Sequence, residues 1–475
     1  MDLHNKIIEN FKALVAIPRS SKDEKRVSDF LLNYAKERGF EAKQDDKWNL
    51  IIKVPGTCKK ENNPSCVLQG HMDMVYVKTP ESTHVYEDGI NVVFDGDYMK
   101  SDKNTSLGAD NGIALAYCMT IMDDMTIPHP PLEIIFTVEE EVGLTGASYL
   151  DCSSIKSKLF INLDSEHEGE FFTSCSGGIR NYFTVPMGEK EKAAGLTNYE
   201  IRVFGLKGGH SGVDIDCGRA NGIKLLARLL KYADSPSVHL SSFNYDGKAN
   251  SIPIASKAFV GVEKGKEAEF ENLLEKCFAD IKNEYRYTDT PDYSVKAAEN
   301  TDYYYRQKSK DTLYNALTLL PNGVISKSFA IEGLTETSVN IGSAEEKDGN
   351  IRLLSSARSC VASRKYAVVE QIETIAKLCG CESENFNDYP QWDYNPNSPL
   401  RELALKAYKE MSKEEGSCAS IHGGLECGYF CDKIQGCDII SMGCNLYDVH
   451  TPNERVSIKS VFNVWELLLE ILRRL

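Results

Sequence analysis

The chain has 475 residues, too many for one ordinary core, which predicts two domains or one domain interrupted by another. Its 70 Asp plus Glu outnumber 54 Lys plus Arg, and a formal charge of -16 repels phosphate backbones and anionic lipid surfaces, disfavouring nucleic-acid and membrane partners. No window reaches the ~18 consecutive apolar residues of a bilayer span.

The N-terminal stretch MDLHNKIIENFKALVAIPRS alternates charged with apolar residues at helical spacing and lacks the apolar core of a secretory signal, which predicts a soluble cytoplasmic protein. Short apolar strands at 49–54, 66–70, 132–138 and 159–163 alternate with amphipathic helices, the pattern of an α/β sheet with helices on both faces. After Val185 the polar passage MGEKEKAAG reads as a solvated crossing between domains. From about residue 190 to 385 the reading is mixed α+β, with helices at 219–232, 267–285 and 367–378. A second crossing, NFNDYPQWDYNPNSP, is rich in Asn, Asp and Pro. Elements at 400–413, 438–443 and 461–475 then resume the first pattern. The simplest architecture is a catalytic domain of residues 1–185 and 388–475, interrupted by an inserted domain of residues 186–387. Fifteen cysteines with no C-x-x-C spacing predict reduced, buried thiols, and structural zinc is disfavoured.

In open α/β sheets, ligands gather at the carboxyl ends of strands. Here CVLQG runs into His71 and Asp73, LEIIFTV into Glu139, Glu140 and Glu141, and LFINL into Asp164. An H-x-D pair on an extended segment puts both side chains on one face, so Asp73 can orient a metal-binding His71. The alternative is a surface turn with two incidental polar residues. Asp110, in SLGADNGIALAYCMT, opens an apolar helix; spacing alone slightly favours a helix N-cap over a metal ligand, and both can hold. Three consecutive glutamates repel one another unless a cation neutralises them, and a metal with a general base explains them better than solvent, without saying which does what. A lone loop histidine is more often a polar surface residue, but His450, in VHTPNERV, follows the predicted strand DIISMG, which raises its odds as a ligand. Glycines around His210 in GLKGGHSGVDID permit close backbone approach to a ligand. The G-K-[ST] ending of a phosphate loop is missing, so nucleotide binding is set aside and His210 reads as a donor.

Taken in order, VLQGHMDMV, TSLGADNGIALA, EEVGLTGA, INLDSEHEGE, GLKGGHSG, HGGLECGYF and HTPNERV resemble the aminoacyl-histidine dipeptidases over essentially the whole chain. That group is a branch of the dinuclear-zinc metallopeptidases that include aminoacylases and carboxypeptidases of the G type. The resemblance implies an α/β catalytic domain with a mixed, mostly parallel central sheet flanked by helices, and an inserted α+β lid. It implies two zinc ions, one on His71 and Asp164, the other on Glu141 and His450, bridged by Asp110, with cobalt or manganese as substitutes. Asp73 would orient His71. Glu140 would be the general base, because Glu140, Glu141, Val142 and Gly143 match the family's Glu-Glu-x-Gly, with Glu139 an extra acid that leaves a one-residue register open. Substrate contacts are implied for His210, Asn250, Arg358 and Gly424, and a cis peptide for Asp110–Asn111. The implied activity is cleavage of Xaa-His and other dipeptides through a metal-bridged hydroxide. The alternatives are an N-acyl-amino-acid hydrolase or a tripeptidase of the same superfamily, or a non-catalytic metal-binding protein. A homodimer stays open.

Overall fold

In the computed structural model, which describes residues 3–58, 64–299 and 301–475, the apolar runs form the strands Leu50–Val54, Cys66–His71, Leu132–Thr137 and Leu159–Asn162. Nearly every residue in them is buried, which is why they read as unbroken apolar runs and not as alternating patterns. They belong to an eight-stranded sheet in the order Glu41–Gln44, Leu50–Val54, Leu132–Thr137, Cys66–His71, Leu159–Asn162, Asp438–Ser441, Glu170–Cys175, Ser417–Ile421. The four strands from Leu132–Thr137 to Asp438–Ser441 run parallel. Leu50–Val54 and Glu170–Cys175 flank them antiparallel. The sheet is therefore mixed with a parallel centre, and the carboxyl ends of the central strands share one edge.

Helices Leu3–Val15, Ala109–Asp123, Pro399–Ser412 and Ile458–Arg474 contribute to the core, which includes Phe11, Leu68, Met119, Ile134 and Trp465. Ala109–Asp123 is buried on nearly every side, as a helix apolar all round must be. A small four-stranded sheet pairs Leu446–Tyr447 with Arg455–Ser457, Arg455–Ser457 with Tyr98–Ser101, and Tyr98–Ser101 with Val92–Asp95.

The chain divides into two compact units: Met1–Cys175, Trp392–Ser420 and Gly424–Leu475 form the first, and Ser176–Gln391 with Ile421–Gly423 the second. The second contains a five-stranded sheet ordered Gly323–Lys327, Thr335–Lys347, Asn350–Ser359, Gly177–Pro186, Glu382–Tyr389, and a four-stranded sheet ordered Val238–Asn244, Ser256–Val262, Thr197–Phe204, Asp292–Ala297. Helices Gly222–Tyr232, Glu267–Tyr285, Gln307–Leu319 and Ala362–Cys379 help build its own core of residues such as Leu226, Phe243, Phe270 and Leu313.

Strand Gly177–Pro186 lies in the second unit because it pairs along its length with Asn350–Ser359 and also with Glu382–Tyr389. The unit border thus precedes that strand instead of following Val185. Part of NFNDYPQWDYNPNSP, expected to be irregular, completes Glu382–Tyr389. It reads as a loop because an edge strand exposes polar side chains. Cys66, Cys118, Cys152, Cys277, Cys427 and Cys444 are buried free thiols, but Cys217 and Cys418 are exposed, contrary to the expectation of core cysteines. Among the described residues no helix is long and apolar enough to cross a membrane.

Candidate metal centre

Parallel strand ends bring the predicted residues together. His71 ends Cys66–His71, the glutamates follow Leu132–Thr137, Asp164 follows Leu159–Asn162, and Asp110 lies at the start of Ala109–Asp123. His450 sits in the loop joining Leu446–Tyr447 to Arg455–Ser457. His71 Nε2 lies 3.1 Å from Asp110 Oδ1 and 3.3 Å from Asp164 Oδ1. His450 Nε2 lies 3.2 Å from Asp110 Oδ2 and 2.8 Å from Glu141 Oε1. The two oxygens of Asp110 therefore face different imidazoles. Donor atoms fall within 4.8 Å of one another in three groups: His71, Asp110, Asp164; Asp110, Glu141, His450; and His71, Glu140, Glu141. Glu140 is in one of these groups and Glu139 is in none of them.

Backbone contacts set these positions. Asp73 Oδ1 is 3.3 Å from His71 Nδ1, and the Asp73 carboxylate also accepts from the Glu140 and Glu141 amides at 3.0 and 3.2 Å and from the Ser21 hydroxyl at 2.8 Å. Asp73 thus fixes the glutamate turn as well as the imidazole. Asn111 accepts from the His71 amide at 3.2 Å and donates to the Leu163 carbonyl and Asp164 Oδ1, both at 2.8 Å, tying two strand ends together. Gly70 is required there, since a Cβ would lie 2.3 Å from Asn111 Oδ1.

The N-cap reading of Asp110 is corrected at its side chain: Asp110 and Asn111 are non-helical, the peptide between them is cis, and the two Asp110 carboxylate oxygens face the imidazoles of His71 and His450. The amides of Leu107 to Asp110 are taken by Glu454. Sequence reasoning missed Glu454, Asn111 and Glu426, although all three lie inside the quoted motifs. Glu426 is fully buried and accepts from Gln69 at 2.6 Å and Thr137 at 2.7 Å, and burial pushes its carboxyl up to about 8.

The cluster concentrates negative charge. Burial, reinforced by Asp110 and Glu141 and opposed by His71, raises Asp164 to about 7. Burial also raises Glu140 well above its ordinary value, with Asp164, Glu141 and Glu426 adding to it against His71. Hydrogen bonds to Asp110 and Glu141 lift His450 to about 11. For His71, burial works against the charged form, but Asp164, Asp110 and Asp73 outweigh it and raise the imidazole. Carboxylates and imidazoles so disposed fit divalent cations with mixed nitrogen and oxygen ligands, which supply the positive charge such a cluster draws.

The remaining candidates separate. Gly424 belongs to the first unit, whereas His210, Asn250 and Arg358 belong to the second. His210 Nδ1 accepts from the amides of Gly212 and Val213 at 3.2 and 3.3 Å, so a neutral ring carries its proton on Nε2 and is a donor there. Burial and then Arg358 lower its pKa, which favours that neutral form. The Asn250 carbonyl accepts from the Ser211 amide at 2.9 Å, next to the pairing of Gly209–His210 with Ser251–Ile252. Arg358 Nη1 donates to the Tyr389 hydroxyl at 2.9 Å, and its buried Nε makes no hydrogen bond among the described residues.

His422, in the quoted HGGLECGYF but not singled out, is buried in the second unit with Nε2 2.7 Å from Ser338 Oγ. Burial, then Arg358, lowers it to about 3, against about 6.5 for an unfolded imidazole. Unfolding therefore takes up a proton between those values, and stability is undiminished above pH about 6.5 and falls as pH drops toward 3. The expected loss is about 2 kcal/mol by pH ~5. Denaturant titrations should show a shallower pH slope for His422→Gln than for the unmodified chain; equal slopes would mean that His422 takes up no proton on unfolding.

Acids and imidazoles gathered at the carboxyl edge of a parallel sheet, with a carboxylate shared between two groups of donors, define an α/β metallohydrolase. The chain belongs to peptidase family M20/M25/M40, a metallopeptidase family whose pattern matches residues 67–474. It is 34% identical over 468 residues to the cytosol non-specific dipeptidase of Escherichia coli K12, covering 98% of this chain and 96% of that protein. The crystal structure of aminoacylhistidine dipeptidase from Vibrio alginolyticus superposes with a TM-score of 0.92 at 30% identity, covering 99% of this chain and 96% of that one. Aminopeptidase PepT from Bacillus cereus, at 20% identity and a TM-score of 0.61 over 99% of this chain and 98% of that one, shares the fold alone.

Proposed function

We propose that this chain is a cytoplasmic dipeptidase that hydrolyses Xaa-His and other dipeptides with two bound zinc ions. The observation that carries the reading is Asp110, whose two carboxylate oxygens face His71 and His450 separately. In this assignment His71 and Asp164 would hold one ion and Glu141 and His450 the other, with Asp110 serving both. The nitrogen and oxygen donors also admit cobalt or manganese.

When bound, the ions supply Lewis acidity toward the scissile carbonyl and the attacking water. Glu140 accepts a proton from that water as its oxygen bonds to the carbonyl carbon, and returns it to the amine as the C–N bond breaks. Asp73 keeps His71 oriented and the glutamate turn in place. His210 Nε2–H donates to the developing oxyanion. Arg358 and Asn250 bind the substrate's terminal carboxylate, and Gly424 offers backbone contact. These roles assign metal binding to the first unit and most substrate contacts to the second.

His210→Ala is expected to lower kcat about 100-fold, the typical cost of one oxyanion donor, with bound metal unchanged. Metal analysis of the purified variant checks this, and loss of metal would refute the assignment. The activity is tested with a panel of Xaa-His dipeptides, other dipeptides, a tripeptide and an N-acetyl amino acid. Dipeptide cleavage is expected. Cleavage of only the tripeptide or only the acetylated substrate would keep the metal site and overturn the substrate class.

A further inference from the structure

Two buried ions with no part in the chemistry above hold the segment that delivers Asp110. Glu454, 3% exposed, turns its carboxylate onto four consecutive amides: Leu107 at 2.7 Å and Gly108 at 3.0 Å on one oxygen, Ala109 at 2.8 Å and Asp110 at 3.4 Å on the other. Arg19, fully buried, donates to the Met72 and Asp73 carbonyls at 2.7 and 3.0 Å and, through its other terminal nitrogen, to the Gly108 carbonyl. Gly108 makes room for it, since a Cβ there would lie 2.7 Å from Arg19 Nη2.

Chain position gives these bonds their meaning. Glu454 lies four residues after His450 in the same hairpin loop, where its own amide closes a turn onto Thr451. It therefore couples the segment of Asp110 to that of His450. Arg19 bonds carbonyls on both sides, coupling the residues just after His71 to the segment of Asp110. Capping a helix alone would require only a small polar side chain at the helix start. A fully buried carboxylate and guanidinium are costly to desolvate, and backbone dipoles offset that cost only where the geometry is held closely.

We propose that Glu454 and Arg19 are positioning residues of the metal centre: Glu454 sets the spacing of Asp110 and His450, and Arg19 that of His71 and Asp110. This rests on the ligand assignment proposed above. The test is zinc affinity, measured by competition with a chromophoric chelator, together with the Tm of the metal-free protein. Glu454→Gln keeps the size but turns an amide group toward backbone donors. It is expected to weaken one of two zinc ions about 10–100-fold, the usual effect of losing a group that orients a ligand. The metal-free Tm should fall by no more than the few degrees that buried hydrogen bonding of this kind is worth in a chain of this size, and excess zinc should restore kcat. Arg19→Lys keeps the charge but loses the planar fork, and should weaken zinc on the His71 side.

If Glu454→Gln does not accumulate as folded protein, Glu454→Asp serves with the same expected weakening and the same rescue by zinc. Unchanged zinc affinity with a lowered metal-free Tm would overturn the proposal and leave Glu454 a purely structural group. His450→Ala separates the two readings. If it binds as much zinc as the unmodified chain, the ligand assignment fails; if it loses one ion while Glu454→Gln keeps both tightly, only the positioning role fails.

Discussion

Asp110→Ala is expected to release both metal ions and reduce peptide hydrolysis to background. The two oxygens of Asp110 lie 3.1 Å from one imidazole and 3.2 Å from the other, so in the proposed assignment Asp110 serves both sides. Its removal also leaves Asp164, Glu141 and both imidazoles gathered without the group that links them, and each half-site is left with a single acid and a single imidazole. His450→Ala should instead leave one ion. Metal content by atomic emission, read beside dipeptide turnover, distinguishes the pair. Retention of one tightly held ion by Asp110→Ala would contradict the shared role.

Glu140→Gln is expected to lower kcat about 10²–10⁴-fold, the range for a positioned acid–base group, while KM and bound metal stay near normal. The amide keeps the shape of the side chain but cannot accept the proton of the attacking water. Position makes Glu140 the choice: it groups with His71 and Glu141, and its amide is fixed by Asp73 at 3.0 Å. The amide of Glu139 bonds instead to Glu24 at 3.0 Å. Steady-state kinetics on Glu139→Gln gives the comparison. A larger loss in that variant than in Glu140→Gln would move the base by one residue.

The central sheet was legible because strands buried on both faces appear as unbroken apolar runs, and its acids and histidine were legible because they follow those runs directly. Features decided by distant partners were not. Spacing alone favoured Asp110 as a helix cap, and nothing near it in sequence shows that its carboxylate faces His450, 340 residues on, or that its own amide bonds to Glu454, 344 residues on. Strand Glu382–Tyr389 was hidden because an edge strand needs no apolar face. The unit border at residue 175 was hidden because Gly177–Pro186 is assigned by its pairing with strands more than a hundred residues away. The triple glutamate could not be sorted from its own residues, since the turn that directs each carboxylate is held by distant partners, Glu24 on the Glu139 amide and Asp73 on the amides of Glu140 and Glu141.

The central claim, a metal-dependent dipeptidase, is tested most directly by hydrolysis of an Xaa-His dipeptide before chelation, after exhaustive chelation, and after return of zinc. The account predicts turnover that vanishes on chelation and recovers as zinc is restored, reaching its plateau at two equivalents per chain. Turnover that survives complete removal of metal, or zinc-loaded protein that cleaves no dipeptide, would contradict it.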